Sequence, residues 1–407
     1  MSLIRCNQDK RRMKAMPLYN DDFETGKVIA ALRKDFVCPG DTQECYIHGV
    51  TDGIDYEKAE VIFHSGMRKS SGAGNILLIY LKRKDKYAVI DAIETLSANP
   101  YVLYAEPDYL VEEFIIPNDP LFRNLWGMKK VRAPLAWNYA TGNAGVSVGV
   151  IDSGIEYNHP DIRNNMWVSP DGRFVGGWNF YRHNSDATDL TGHGTHVAGT
   201  IGAVGNNGVG ITGLCWRVRV ASLRFGFDIA SAIAAIDFAN IYSIPILNSS
   251  WGGRTYSPAL KLAIDQYDGL FVTAAGNYGT NNDIIPDYPG SYDSENIITV
   301  AAANPNDALA RFSNYGAKSV DIAAPGTDIL SLGLRGSYSI QNGTSMAAPH
   351  VAGAAALLKA YMPGLTTAEM KNIILSSAAK RPALTGRVLT GGMLDVNAMF
   401  LSSSLFV

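Results

Sequence analysis

No stretch of this 407-residue chain approaches the ~18 consecutive apolar residues that a membrane-spanning helix requires, so no helical span is expected. An excess of one charge is also missing. The 35 Lys and Arg face 38 Asp and Glu, a net charge of -3, which gives no electrostatic reason to expect nucleic acid or an anionic membrane as partner. The opening residues, MSLIRCNQDKRRMKAMPLYNDD, include basic side chains but no apolar core behind them, so no secretory signal is expected. Cysteine is scarce: Cys6, Cys38, Cys45 and Cys215 are too few and too scattered for a disulfide scaffold. Cys38 and Cys45 are near enough to pair or to share a metal, but two unpaired thiols are the reading taken here. No internal repeat or low-complexity tract is visible. What is present, 47% hydrophobic and 18% charged residues, is enough for a large core, arranged as one large domain with a smaller one or as two of medium size.

A break falls at Pro117-Asn118-Asp119-Pro120. Before it, residues 27–32 and 76–81 read as strands. Residues 87–98 read as a helix with Val89, Ile90, Ile93 and Leu96 on one face, and residues 101–105 as a further strand. This is a small α+β unit. Beyond the break, β-branched apolar runs at 146–151, 218–223, 244–248, 270–275, 297–303 and 320–323 read as buried parallel strands. They alternate with helical stretches at 194–203, 229–242, 258–267 and 345–361, which predicts an α/β fold with a doubly wound, mostly parallel sheet. Sites in such sheets lie at the carboxyl ends of strands.

Three short segments carry candidate chemistry. Asp152 ends the run 146–151 and precedes Ser153-Gly154, where an aspartate is either a turn former or a working carboxylate. His193 lies in Gly-His-Gly-Thr-His-Val-Ala-Gly-Thr (192–200), where small residues let a helix begin close to neighbouring backbone. His193 and His196 are three apart, and a zinc hydrolase built on them is one alternative. The zinc-peptidase pattern wants two histidines four apart with a glutamate between, whereas Gly194 and Thr195 stand here. Ser345 lies in Asn-Gly-Thr-Ser-Met-Ala-Ala-Pro-His (342–350), ahead of a long apolar helix. It is either an N-cap or a hydroxyl placed where orphan N–H groups favour negative charge, its own N–H among them. Pro349 is tolerable there if its N–H would have been unpaired. The chain order Asp, His, Ser is the order found in subtilisin.

On these motifs the second domain resembles the subtilisin-like serine proteases. The match runs through Val150–Ile155, His159-Pro160-Asp161, His193–Thr200 and Gly343–Gly353, and closes with residues 391–398. The resemblance implies a serine endopeptidase with Asp152, His193 and Ser345 as triad and Asn277 as oxyanion-hole donor. It makes Ser250, Trp251 and Gly252 the substrate-pairing wall, with Gly276 opposite. No acidic residue occupies these matched positions, so an apolar or aromatic residue before the cut is expected. Segment 226–228 is shorter than the family's upstream edge strand, which predicts weak upstream subsites. A catalytically silent binding module of the same fold is the other alternative.

The first domain also resembles a family element, the ferredoxin-like inhibitor propeptide. The resemblance implies a flexible extension at 1–22, a prodomain at 23–111, a processing linker at 112–118 and a peptidase domain at 117–402, made as a self-processing zymogen. The mature start resembles thermitase-like members, which implies structural Ca²⁺ held by Asp119, Asp161, the Asn207 side chain and the carbonyls of Val204, Val209 and Ile211. Oxygen donors of these kinds suit that ion. A second calcium site is expected to be lost, because Arg182 stands in its segment. Protein or peptide substrates, the chain's own prodomain as inhibitor, a monomeric state and an extracellular or cell-surface setting complete what the resemblance implies.

Overall fold

The computed structural model describes residues 23–36, 42–64, 73–109 and 114–403. The chain divides into two compact units, Met1–Glu112 and Glu113–Val407.

The first unit runs β1 (Phe23–Arg33), α1 (Gln43–His48), β2 (Tyr56–Phe63), β3 (Ala73–Leu81), α2 (Lys86–Ala98) and β4 (Val102–Tyr109). The four strands form an antiparallel sheet in the order β2-β3-β1-β4. Along β3, Leu77, Ile79 and Leu81 are buried while Leu78 and Tyr80 are only partly so, the period of a strand with one face on a core. Asp85 caps α2 by accepting from the Ala88 N–H at 2.8 Å. The helix buries Val89, Ile93 and Leu96 as expected, but Ala92 rather than Ile90 completes the face. Strand β2 was not anticipated; its sequence, YEKAEVIF, leaves Ile62 and Phe63 exposed and shows no clean alternation. Cys45 is disulfide-bonded, against the expectation of a thiol, whereas Cys215 is free and buried. Cys6, Cys38, the 1–22 extension and residues 110–113 of the prodomain end and linker lie outside the described residues.

The second unit opens with the short helices α3 (Trp126–Lys130) and α4 (Ala133–Ala136). Its core alternates β5 (Gly142–Asp152), β6 (Gly177–Asn179), α5 (His193–Gly202), β7 (Arg217–Arg224), α6 (Ile229–Ile241), β8 (Ile246–Ser249), α7 (Pro258–Asp265), β9 (Leu270–Ala274), β10 (Ile297–Ala303) and β11 (Ile322–Pro325). A hairpin of β12 (Ile329–Leu332) and β13 (Tyr338–Gln341) follows, then α8 (Thr344–Tyr361), α9 (Thr367–Ser376), β14 (Ala379–Lys380), β15 (Gly392–Met393) and α10 (Val396–Ser403). The nine-stranded sheet has the order β14-β15-β11-β10-β9-β8-β5-β7-β6, and its pairings are parallel from β11 to β6. Each strand feeds both faces of the sheet. Val148, Val150, Ile246, Val272 and Val300 join one core with α8, while Ile151, Leu247, Phe271 and Ile297 join another with α6 and α7. Two-sided burial is why these strands read as unbroken apolar runs.

In the large sheet β5 begins four residues and β7 one residue before the sequence reading, while β8 and β11 each begin two residues after it. Ile244 closes α6 instead of opening β8: its N–H bonds the Ala239 carbonyl at 2.9 Å after Ser243 turns left-handed at φ 51°. Val320 turns its N–H back to Gly316, so β11 begins at Ile322. The expected helix starts at 194 and 345 each come one residue early. The hairpin and α9, closed by a Thr366/Glu369 capping box, were not anticipated. No described helix is long and apolar enough to cross a membrane.

Candidate active site

The sheet reverses its winding about β5. The chain leaves β7 on one side of β5, crosses by α6 and re-enters as β8 on the other side, so Val150 pairs with Ser222 one way and Asn248 the other. The carboxyl end of β5 is thus the switch point where sites form, and Asp152 is its last residue.

Asp152 is buried; its Oδ1 accepts from the Ser153 N–H at 2.7 Å and lies 2.8 Å from His193 Nδ1. Its Oδ2 is buried without a partner. His193 is the first residue of α5, brought close because Gly194 packs against the Gly154 carbonyl, where a Cβ would collide. Burial opposes the imidazolium, but the hydrogen bond and charge of Asp152, with the charge of Asp189, outweigh it and hold the His193 pKa above its ordinary value. Asp189 is a site residue that sequence reasoning missed. Burial works to raise its pKa, but N–H donors from Thr191 and Thr195 and the Thr195 hydroxyl keep it low. It also accepts from the Ser153 hydroxyl, which receives the Gly194 N–H in turn. The available signal was an Asp just ahead of a helix start.

His196 points elsewhere. Its Nε2 bonds the Ile329 carbonyl at 2.9 Å, and burial lowers its pKa to about 4. His193 Nδ1 is engaged by Asp152 and His196 Nε2 by backbone, and no cluster of three or more His, Cys, Asp or Glu side chains able to hold a metal occurs among the described residues, so the zinc alternative lacks a ligand set.

Ser345 is the second residue of α8. Its hydroxyl donates to the Ser250 carbonyl at 2.9 Å, and the Ser250 hydroxyl donates back to the Ser345 carbonyl at 2.9 Å. The second bond corrects the reading of Pro349. That proline sits four residues beyond Ser345, inside the helix, where an N–H would have bonded the Ser345 carbonyl. Ser250 supplies the missing donor. Ser250, Trp251 and Gly252 follow β8, and the Trp251 indole N–H is fixed to the Ile151 carbonyl of β5 at 2.9 Å. Its ring lies 4.9 Å from that of Phe225. Residues 225–228 form no strand, in keeping with the shortness of that segment.

Asn277 follows β9. Its Oδ1 accepts from the Thr344 N–H at 2.9 Å and from the Thr344 hydroxyl at 3.0 Å, which leaves Nδ2 toward Gly343 and Ser345. Gly276 sits at φ 104°, and a side chain there would strike Asn314. Asn314 was also missed; its Oδ1 receives the Tyr278 and Thr280 N–H groups and shapes this turn. A cavity of about 240 Å³ opens beside Ser345 between Trp251, Gly252, Gly276 and Asn277. It contains a carboxylate, Asp287, which the matched positions did not include; nothing in Pro-Asp-Tyr-Pro marks it before the fold is known.

Hydrogen bonds tie Asp119 and Asp161 to the 204–211 loop that carries the other expected ion ligands. Asp119 and Asp161 are buried, and Asn206 and Ile211 donate backbone N–H groups to them at 2.7 and 2.8 Å. Burial raises both carboxyl pKa values, and the charge of Asp119 adds to that of Asp161. No described donor reaches the carbonyls of Val204, Val209 or Ile211. Asn207 departs from expectation: its Nδ2 donates to Asp161 at 2.9 Å and its Oδ1 accepts the Val209 N–H at 2.7 Å.

The chain is similar to known proteins. Residues 143–392 match the subtilase family of peptidases. A thermophilic serine proteinase of Bacillus sp. (strain AK1) is 37% identical over 297 residues, 71% of this chain and 70% of that protein. Thermitase of Thermoactinomyces vulgaris is 36% identical over 273 residues, 65% of this chain and 92% of its own. A solved protease structure from Pseudoalteromonas arctica superposes with a TM-score of 0.62 at 29% identity, covering 70% of this chain and 99% of that one.

Proposed function

Because this chain belongs to the subtilase family and is a subtilisin-like serine endopeptidase, we propose that Ser345 is its nucleophile, His193 its general base and Asp152 the group that orients the imidazole. The observation that carries this is the 2.8 Å contact between His193 and Asp152 at the switch-point strand, with Ser345 held at a helix N-terminus beside Ser250. In this reading the Ser345 hydroxyl turns from the Ser250 carbonyl toward His193 and attacks the scissile carbonyl. His193 takes the proton and returns it to the leaving amine, and water then releases the acyl group by the same route. The Asn277 Nδ2 and the Ser345 N–H receive the oxyanion. Ser250–Gly252 and Gly276 hold the substrate backbone and the residue before the cut.

Residues 23–111 act in this proposal as a prodomain that the peptidase removes by cutting itself within 112–118. Support comes from the boundary at Glu112 and from the separate core of the first unit. Ca²⁺ binds Asp119 and Asp161 with the carbonyls of Val204, Val209 and Ile211. Two buried, mutually repelling carboxylates beside donor-free carbonyls fit a hard divalent ion. The ion supplies rigidity rather than chemistry, and Asn207 serves as a brace for Asp161 unless its amide turns.

The test is labelling with a fluorophosphonate probe. Ser345 is expected to be modified in the intact chain, and Ser345→Ala to take up no probe. An unlabelled wild-type protein would sink this reading and favour the silent binding module.

A further inference from the structure

Asp287, only 3% exposed, lines the cavity beside Ser345. Its carboxylate stands between the two glycine walls. A Cβ on Gly252 would approach Asp287 Oδ1 to 2.5 Å, and one on Gly276 would approach its Cγ to 3.2 Å. The backbone holds the residue there: Gly253 and Tyr288 exchange N–H···O bonds of 2.8 and 2.7 Å, and the Asp287 N–H bonds the Ser291 hydroxyl at 3.0 Å. Neither carboxylate oxygen accepts a hydrogen bond from any described residue. Burial pushes the Asp287 pKa up, and Arg254 is the cation that pulls it down. Arg254 lies over the Tyr278 ring, 4.6 Å from the centroid, and is in no ion pair with Asp287 among the described residues. A buried carboxylate with no donor is costly, and a charged donor entering the cavity relieves that cost.

We propose that Asp287 makes this cavity a site for a cationic side chain, so that the enzyme cuts after Arg or Lys rather than after an apolar residue. This rests on the peptidase reading above. It reverses the apolar preference drawn from the matched wall positions alone, because the deciding group arrives from the 278–289 loop. A carboxylate at the base of the first pocket is a known way for a serine protease to select a basic residue.

The experiment measures kcat/KM for peptides that differ only in carrying Arg, Lys, Phe or Leu before the cut. Basic peptides are expected to lead by on the order of 10–100-fold, the scale of a hydrogen bond to a charged group. Asp287→Asn is expected to abolish the lead, lowering the ratio of basic to Phe kcat/KM at least 10-fold whatever its effect on the absolute rates, on the order of the loss of a hydrogen bond to a charged group. Asp287→Glu is expected to keep the sign of the preference. A wild-type preference for Phe or Leu overturns the proposal, as does an unchanged ratio in a folded Asp287→Asn protein. If no peptide is cut and Ser345 takes no probe, it is the peptidase reading that has failed. Calorimetric binding of benzamidine then tests the pocket by itself: tighter binding to wild type than to Asp287→Asn supports it, and equal or absent binding overturns it.

Discussion

The two sheets of this chain make different use of their ends. In β1–β4 neighbouring strands run in opposite directions, so each edge of the sheet collects starts and finishes alike. From β6 to β11 all strands run one way, and their carboxyl tips gather on one edge. Asp152 leaves β5 there, Ser250–Gly252 leave β8, and Gly276-Asn277 leave β9. Ligand sites of open parallel sheets form outside such an edge. The antiparallel sheet has a single core of its own, built with α2, and surface ion pairs such as Lys84–Glu57 and Lys82–Asp55 that add little stability. If this unit is the prodomain proposed above, structure lies with the first sheet and chemistry with the second.

Five measurements would break or sharpen this contrast. Ser345→Ala is expected to cost on the order of 10⁶ in turnover, the size of such a loss in subtilisin itself rather than a value derived from this structure. Mass spectrometry is expected to find the variant at full length; trimming near Pro117 with no other protease present would show that the two units are separated by something else. Asp152→Asn is expected to lower kcat by about 10⁴. It should also move the acid limb of kcat/KM. In wild type that limb is expected above the ordinary histidine value, because Asp152 and Asp189 outweigh burial at His193. Without the Asp152 charge, burial takes over and the midpoint drops; an unmoved midpoint would sever the proposed link.

Leu96→Ala, in the core under α2, is expected to cost about 2–5 kcal/mol and to unfold the first unit alone. Hydrogen exchange resolves the units, and coordinated loss of both would break the contrast. Calcium should act on the second unit only, by about 2.7 kcal/mol at a hundredfold excess over its dissociation constant, and Asp161→Ala should remove most of this. The sign with pH follows from the raised carboxyls. Folding holds those protons more tightly, so in chelator the second unit loses stability as pH rises from the usual carboxylate range through the raised values. The calcium gain grows over the same window, and equal melting temperatures with and without the ion rule the site out. The smallest effect concerns segment 225–228, which offers no upstream strand. Lengthening a peptide from two to four residues before the cut should raise kcat/KM less than ~100-fold, and a larger gain would show that edge to be complete.

The sequence was legible wherever one residue had one physical duty. Strands β9 and β10 read correctly because both faces are buried and no register is in question. Asp152, His193, Ser345 and Asn277 could be singled out because each lies within a dense local motif, and the fold places them at neighbouring strand ends and helix starts. The illegible parts were set by distant partners. Strand β2 is specified by its pairing with β3 more than by its own pattern. Asp189 matters through the Ser153 hydroxyl and the Thr195 N–H, and Asp287 through two glycines on other strands' loops. Cys45, read as a thiol, is bonded.

The proline inside α8 has a consequence for inheritance. Pro349 removes the donor that would have tied the Ser345 carbonyl into its own helix, and the Ser250 hydroxyl, 95 residues away in sequence, occupies that acceptor. The two positions are therefore coupled but not symmetric. Replacing Ser250 alone leaves that carbonyl without its donor, whereas replacing Pro349 alone adds a second donor that the carbonyl's other lone pair can accept. Loss of the hydroxyl is thus costly while the proline stands and tolerable once it is gone, which sets the order of the two changes and keeps the nucleophile's backbone moored to the tip of β8.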